Sequence, residues 1–162
     1  MRVAILTVST AGAAGKRQDT SGDAIAAWVT TRKFTIVARE LVTDDVNAIV
    51  RHLLRWCDDD VADLVLTTGG TGLSPTDLTP EATRAVIQRE APGIAEFLRA
   101  SAVARVPKAV LSRGLCGSRH RTLIVNLPGS PGGVKDALAA LEPIVEHAVA
   151  VLRGDVGDHG AS

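Results

Sequence analysis

Aromatic side chains are nearly missing from this chain of 162 residues, which has two Trp, two Phe and no Tyr. A surface that stacks successive bases needs an aromatic platform, so that class of nucleic-acid binder is disfavoured. Neither sign of charge is in excess. Eighteen Lys and Arg balance eighteen Asp and Glu for a formal net charge of +0, so no nucleic acid and no anionic membrane surface is expected as a partner. Cysteine is limited to Cys57 and Cys116, far apart and outside any Cys-x-x-Cys spacing. Both are read as buried thiols rather than a disulfide. No apolar run approaches the roughly 20 residues needed to span a bilayer. The opening Met1-Arg2-Val3-Ala4-Ile5-Leu6-Thr7-Val8 is too short a run for a signal peptide and reads as a strand. A soluble, cytoplasmic protein is expected.

Several nucleotide and hydrolase motifs are missing too. Gly12-Ala13-Ala14-Gly15-Lys16-Arg17 lacks the first glycine and the final Ser/Thr of a P-loop. No Gly-x-Gly-x-x-Gly follows a strand-like run, and no Gly-x-Ser-x-Gly elbow occurs. His52, His120, His147 and His159 have no metal-ligand spacing.

What is present is a domain-sized chain, 46% hydrophobic and 22% charged, whose apolar pattern changes period repeatedly. Residues 3–8 form a nearly continuous apolar run, as in a strand buried on both faces. Residues 10–22 read as a loop. Residues 23–31 place Ile25, Trp28 and Val29 on one helical face, with Ser21 or Gly22 near the cap. Residues 34–42 read as a second strand. Thr43-Asp44-Asp45 is an N-cap cluster ahead of Val46, Ile49, Val50, Leu53 and Leu54, which are spaced for one helix face. Residues 64–68 form a third strand. Two helices are expected over 80–90 and 93–104, separated by Pro92. Residues 109–116 and 122–127 read as an antiparallel pair joined through residues 117–120. A final helix carries Val134, Leu138, Leu141, Val145, Ala148 and Leu152 on one stripe, with Pro143 as a potential kink or break. Alternating strands and helices imply a single layered α/β domain over residues 1–153 with a mostly parallel sheet and one antiparallel strand. Residues 154–162 have little to anchor them and read as a frayed tail.

Glycine carries the chemistry. Leu64-Val65-Leu66-Thr67-Thr68 runs into Gly69-Gly70-Thr71-Gly72, then Asp77, then Thr79-Pro80-Glu81 as N-cap, first helical residue and acidic first turn. Glycine lets backbone approach a ligand, and clustered N–H groups favour phosphate. A second turn, Asn126-Leu127-Pro128-Gly129-Ser130-Pro131-Gly132-Gly133, follows the run at 122–127. If the two strands are parallel neighbours, both turns open on one sheet edge, where ligands gather in such folds. Each turn is equally well read as a plain connector or helix cap. Asp44 and Asp77 follow the second and third strands; beside a phosphate site, paired carboxylates suit Mg²⁺. For Asp44 the competing reading is an ordinary N-cap.

Taken in order, these segments resemble the MogA/MoaB family of molybdenum-cofactor biosynthesis, which includes the gephyrin G domain. The resemblance runs from residue 3 to about residue 152. Its pieces are Leu6-Thr7-Val8-Ser9, Asp19-Thr20-Ser21-Gly22, Val42-Thr43-Asp44-Asp45, Leu66 to Gly72 with Asp77 and Thr79-Pro80-Glu81-Ala82-Thr83, Pro92-Gly93, Leu111-Ser112-Arg113-Gly114, and Asn126-Leu127-Pro128-Gly129-Ser130-Pro131. It implies a three-layer α/β/α fold, typically assembled as a trimer, that binds molybdopterin and adenylylates it with ATP and Mg²⁺, releasing pyrophosphate. Within that resemblance Asp44 and Asp77 take the catalytic positions, and Asp77 is the candidate Mg²⁺ ligand. Substrate contacts fall on Ser9, Ser21, Gly22, Thr68, Gly69, Gly70, Thr71, Gly72, Thr79, Glu81, Ser112, Arg113, Asn126, Pro128, Gly129, Ser130 and Pro131. Arg113 is expected to meet a phosphate, with an effect largest at low salt. One departure is Thr10, where many members have Asp. A pterin carrier without catalysis and a general nucleotide-binding module are the alternative readings.

Overall fold

A computed structural model describes residues 1–155. Six strands form one sheet in the order β2-β1-β3-β6-β5-β4. β1 (Arg2–Val8), β2 (Thr35–Val42), β3 (Leu64–Thr68) and β6 (Thr122–Leu127) are mutually parallel, whereas β5 (Cys116–Arg119) runs antiparallel to both β6 and β4 (Arg89–Glu90). The continuous apolar runs are the central strands: every residue of β3 and β6 is buried. Side chains that alternate along these strands feed two cores. Val3, Ile5, Leu64, Leu66, Val125 and Leu127 pack with α2 (Thr20–Thr31), α5 (Pro92–Val103) and α6 (Pro131–Arg153). Ala4, Leu6, Val65 and Ile124 pack against α3 (Val46–Asp58) and α4 (Thr79–Val86) on the other face. This is the expected three-layer arrangement.

Several expectations need correction. The segment 10–22 is not all loop. Ser9 accepts from Gly12 N–H and starts a one-turn helix, α1 (Thr10–Ala13). α2 begins at Thr20, and its cap is Asp19, not Ser21 or Gly22, because the Asp19 carboxylate accepts from Gly22 N–H. α4 stops at Val86. Ile87 turns extended, Gln88 N–H bonds to Ser118 O, and Arg89–Glu90 adds an edge strand. Thr79 is not a cap but the first residue of α4, preceded by Leu78 without any side-chain cap. The apolar run at 109–116 is mostly not strand. Pro107–Leu111 is a 3-10 turn that leaves Val110 and Leu111 exposed, so the run was not apolar for the sake of the sheet. The β5–β6 hairpin closes through His120 and Arg121, with His120 at φ +49. Pro143 lies inside α6 without splitting it. Gly154 closes that helix at φ +77, and Asp155 N–H bonds to Ala150 O. The rest of the expected tail, 156–162, lies outside the described residues.

Both cysteines are free and buried. Burial pushes the thiol of Cys57 up to about 11 and that of Cys116 up to about 12, so neither is a nucleophile near neutral pH. Among the described residues no helix is long and apolar enough to cross a membrane.

Candidate ligand clefts at the carboxyl edge of the sheet

β3 and β6 are adjacent and parallel, with Thr68 opposite Leu127. The two glycine turns therefore leave the same edge side by side. They are close enough that a Cβ on Gly129 would sit 3.2 Å from Gly69 Cα. Gly69 and Gly70 take φ +94 and +61, conformations that favour glycine. A Cβ at Gly69 would lie 2.2 Å from Val8 O, so only glycine passes there.

The carbonyls of Gly69 to Gly72 and of Pro128 and Gly129 are occupied. Thr79 Oγ1 donates to Gly69 O at 2.8 Å and Thr79 N–H to Gly70 O at 3.1 Å. Arg113 N–H donates to Thr71 O at 2.8 Å and its Nε to Gly72 O at 2.7 Å. In the second turn, Thr68 Oγ1 donates to Pro128 O at 2.6 Å, and Ser21 Oγ to Gly129 O at 2.7 Å. In contrast, the N–H groups of Gly70, Thr71 and Gly72 donate to no described residue. Acceptors tied down and donors left open make a concavity of partial positive charge, suited to an anion. Ser130 meanwhile caps α6 through Gly133 N–H, with Pro131 as the first helical residue. The second turn is thus both a cap and a cleft wall.

Two clefts flank this wall. One, of about 380 Å³, lies where the chain reverses its strand order, lined by the ends of β1 and β3, by Asp19 to Ser21 and by Asp44. The other, of about 540 Å³, runs under α5 and the 3-10 turn and includes Asp77, Arg99, Lys108, Ser112 and Asn126. Gly70, Gly129 and Ser130 line both. Asp44 and Asp77 therefore face different clefts on either side of Gly70.

Each carboxylate is held by one oxygen. Asp44 is not the cap of α3, because Asp45 accepts from Ala48 N–H in that role. Its Oδ2 instead accepts from Thr10 N–H at 2.8 Å and Thr10 Oγ1 at 2.7 Å, while Oδ1 faces Gly70. Asp77 Oδ2 accepts from Ser74 N–H at 2.9 Å.

A family model described as a probable molybdopterin binding domain matches residues 4–147. The chain belongs to the MogA/MoaB family. It is 36% identical to a molybdopterin adenylyltransferase from Helicobacter pylori over 157 residues, 96% of this chain and 89% of that one. It is 37% identical to the Escherichia coli protein of the same name, covering 88% of this chain and 74% of that one. Among solved structures, the molybdopterin biosynthesis enzyme MoaB from Thermus thermophilus superposes with a TM-score of 0.89 at 48% identity, over 94% of this chain and 96% of the other.

In this MogA/MoaB chain Gly69, Gly70, Gly129, Ser9, Ser21, Thr68, Asp44 and Ser130 converge on the first cleft, and Thr71, Gly72, Asp77, Ser112, Asn126 and Pro128 on the second. Several of the expected site residues also make structural contacts. Asn126 is saturated: Nδ2 donates to Thr67 and Thr83, and Oδ1 accepts from Leu115 N–H. The Arg113 guanidinium turns onto the first glycine loop. It donates to Gly72 O, to Asp77 O at 2.6 Å and to the Glu81 carboxylate, which the hydrogen bond to Arg113 holds below the usual glutamate range. Gly22 is required for packing, since a Cβ there would meet Asp19 Oδ2 at 2.1 Å. Asp19 itself was missed as a site residue. Its carboxylate accepts from Gly22 N–H, Thr7 Oγ1 and Arg39, and it lines the first cleft. The cap spacing from Asp19 to Gly22 was the available signal.

This placement changes the expectation for Arg113. Arg113→Ala is expected to weaken molybdopterin binding about tenfold, because two carbonyls lose their donor and the loop relaxes. Part of the deficit should persist at high ionic strength, because the Gly72 and Asp77 carbonyls stay without a donor, while the part due to the uncompensated Glu81 carboxylate is screened, and Arg113→Lys should not restore full affinity. Titrations at two salt concentrations check this. A deficit that disappears at high salt would mean that Arg113 acts as a free charge.

Proposed function

We propose that this chain is a molybdopterin adenylyltransferase of molybdenum-cofactor biosynthesis, using ATP and Mg²⁺ as a homotrimer. The observation that carries the reading is the pair of glycine turns, with occupied carbonyls and with open N–H groups on the first, forming one wall between two clefts. Two phosphorylated ligands, one in each cleft, bring their phosphates to a common wall of donors. The terminal phosphate of molybdopterin then attacks the α-phosphorus of ATP. A P–O bond forms there as the bond to pyrophosphate breaks.

Such a transfer needs positioning and charge stabilisation more than covalent help. The open N–H groups supply the second without reorganising. Asp44 and Asp77 each keep one carboxylate oxygen outside the hydrogen bonds described above, and among the described residues no set of three His, Cys, Asp or Glu gathers at one point. That fits Mg²⁺, which takes one or two carboxylates and fills its other positions with phosphate oxygen and water. Held by Asp77 or Asp44, the ion would supply charge neutralisation to the phosphates. Apolar surface at Phe97, Val106, Val110 and Leu111 supports packing against further copies of the chain.

The test is incubation of the purified chain with ATP, Mg²⁺ and molybdopterin, with mass-spectrometric detection of adenylylated molybdopterin and assay of pyrophosphate. Pterin binding without product would make the chain a carrier, and ATP binding without pterin affinity a general nucleotide module. Light scattering on the same preparation should give a trimer; a stable monomer at micromolar concentration overturns that part.

A further inference from the structure

The glycine turns offer partial charges, and the one arginine expected to add a full charge is paired with Glu81. We propose that Arg17, on the segment between α1 and α2, closes over the phosphates of the ligand in the first cleft. This rests on the reading of that cleft as a site for a phosphorylated ligand.

The segment is built as a strap fixed at both ends. It leaves α1 through Gly15 at φ +69, where an added Cβ would meet nothing within 4 Å, so no side-chain packing holds the bend. Gly15 N–H bonds to Gly12 O, and Lys16 N–H to Ala11 O. The far end is Asp19, gripped by Thr7, Gly22 and Arg39. Between these anchors, neither Arg17 nor Gln18 donates its backbone N–H to a described residue. Both line the first cleft.

Charge singles out Arg17. Of the other ionised side chains lining that cleft, Asp19 is paired with Arg39 at 2.8 Å, and Asp44 is held by the uncharged Thr10. A polyphosphate entering there meets the Asp44 carboxylate without a full positive charge on the wall unless Arg17 provides it. Arg17 forms no hydrogen bond or ion pair through its guanidinium among the described residues, so binding a phosphate breaks no existing pair. A guanidinium matches phosphate with two parallel donors. Lys16, its neighbour, is not among the residues lining the cleft, which makes it a control with the same change in net charge.

Wild type, Arg17→Ala, Arg17→Lys and Lys16→Ala should be titrated by calorimetry with MgATP and, separately, with molybdopterin, at low and at physiological ionic strength. Arg17→Ala is expected to weaken one of the two ligands roughly tenfold at low salt, and less at higher salt. Arg17→Lys recovers part of the loss, and Lys16→Ala matches wild type. In wild type the affected ligand should also slow tryptic cleavage after Arg17. Arg17→Ala and Lys16→Ala behaving alike with both ligands overturns the proposal. Adenylylation assays run alongside separate it from the functional reading. Arg17-dependent binding without turnover removes the reaction but leaves Arg17 in its role; turnover by Arg17→Ala with wild-type KM for both substrates does the reverse.

Discussion

Gly70→Val is expected to lower molybdopterin affinity by about a hundredfold, the weight of one or two charge-assisted hydrogen bonds. Gly70 holds φ +61, where a β-branched residue is strained by at least ~1–2 kcal/mol. Space is equally prohibitive. A Cβ there would lie 2.6 Å from Thr79 Oγ1 and 3.2 Å from Asp44 Oδ1. Relief requires Thr79 to give up its bond to Gly69 O, or Asp44 to swing away, and either movement rearranges the wall common to both clefts. Calorimetric titration reads the affinity, and denaturant unfolding the accompanying fall in stability. Gly93→Ala is the control, because nothing lies within 4 Å of its Cβ position and it sits in the first turn of α5. Unchanged affinity in Gly70→Val would reduce the turn to a connector.

Asp77→Asn should give the opposite pattern, an intact fold with adenylylation reduced by at least about a hundredfold. The carboxamide oxygen can still accept from Ser74 N–H, and the Asp77 carbonyl can still accept from Arg113, so the loop keeps its shape. What is lost, on the proposed reaction, is the charge that would hold Mg²⁺ at the transferring phosphate. Thermal unfolding should match wild type while kcat collapses, and the apparent requirement for Mg²⁺ should shift to higher concentration. Near-normal turnover by a folded Asp77→Asn chain removes Asp77 from the machinery.

The strands that build the floor were readable because burial on both faces leaves an uninterrupted apolar run, as at Leu64–Thr68 and Thr122–Leu127. The glycine turns were readable for a related reason: positive φ and close approach tolerate little else. Short or exposed elements left weaker marks. α1 is a single turn started by Ser9, and β4 is two exposed residues held by ladder bonds to β5. The apolar stretch Ala109 to Cys116 has the composition of a strand, yet Pro107 starts a 3-10 turn that puts Val110 in solvent. The role of Arg113 was hidden because its acceptors are backbone carbonyls 36 and 41 residues away, and a carbonyl has no letter in the sequence. Asp44 and Asp77 were both legible as acidic residues after strands. Their separation into two clefts depended on β1 lying between β2 and β3, which no local pattern encodes.

The wall shared by Gly70, Gly129 and Ser130 bears on what happens after the reaction. Two reactants held on either side each lose their own overall tumbling when they bind. On the proposed reaction they become one molecule that spans both compartments and has surrendered that freedom only once. The joined compound is consequently retained with an effective local concentration that neither half enjoys alone. On that reaction, departure rather than bond making is expected to set the pace of the cycle.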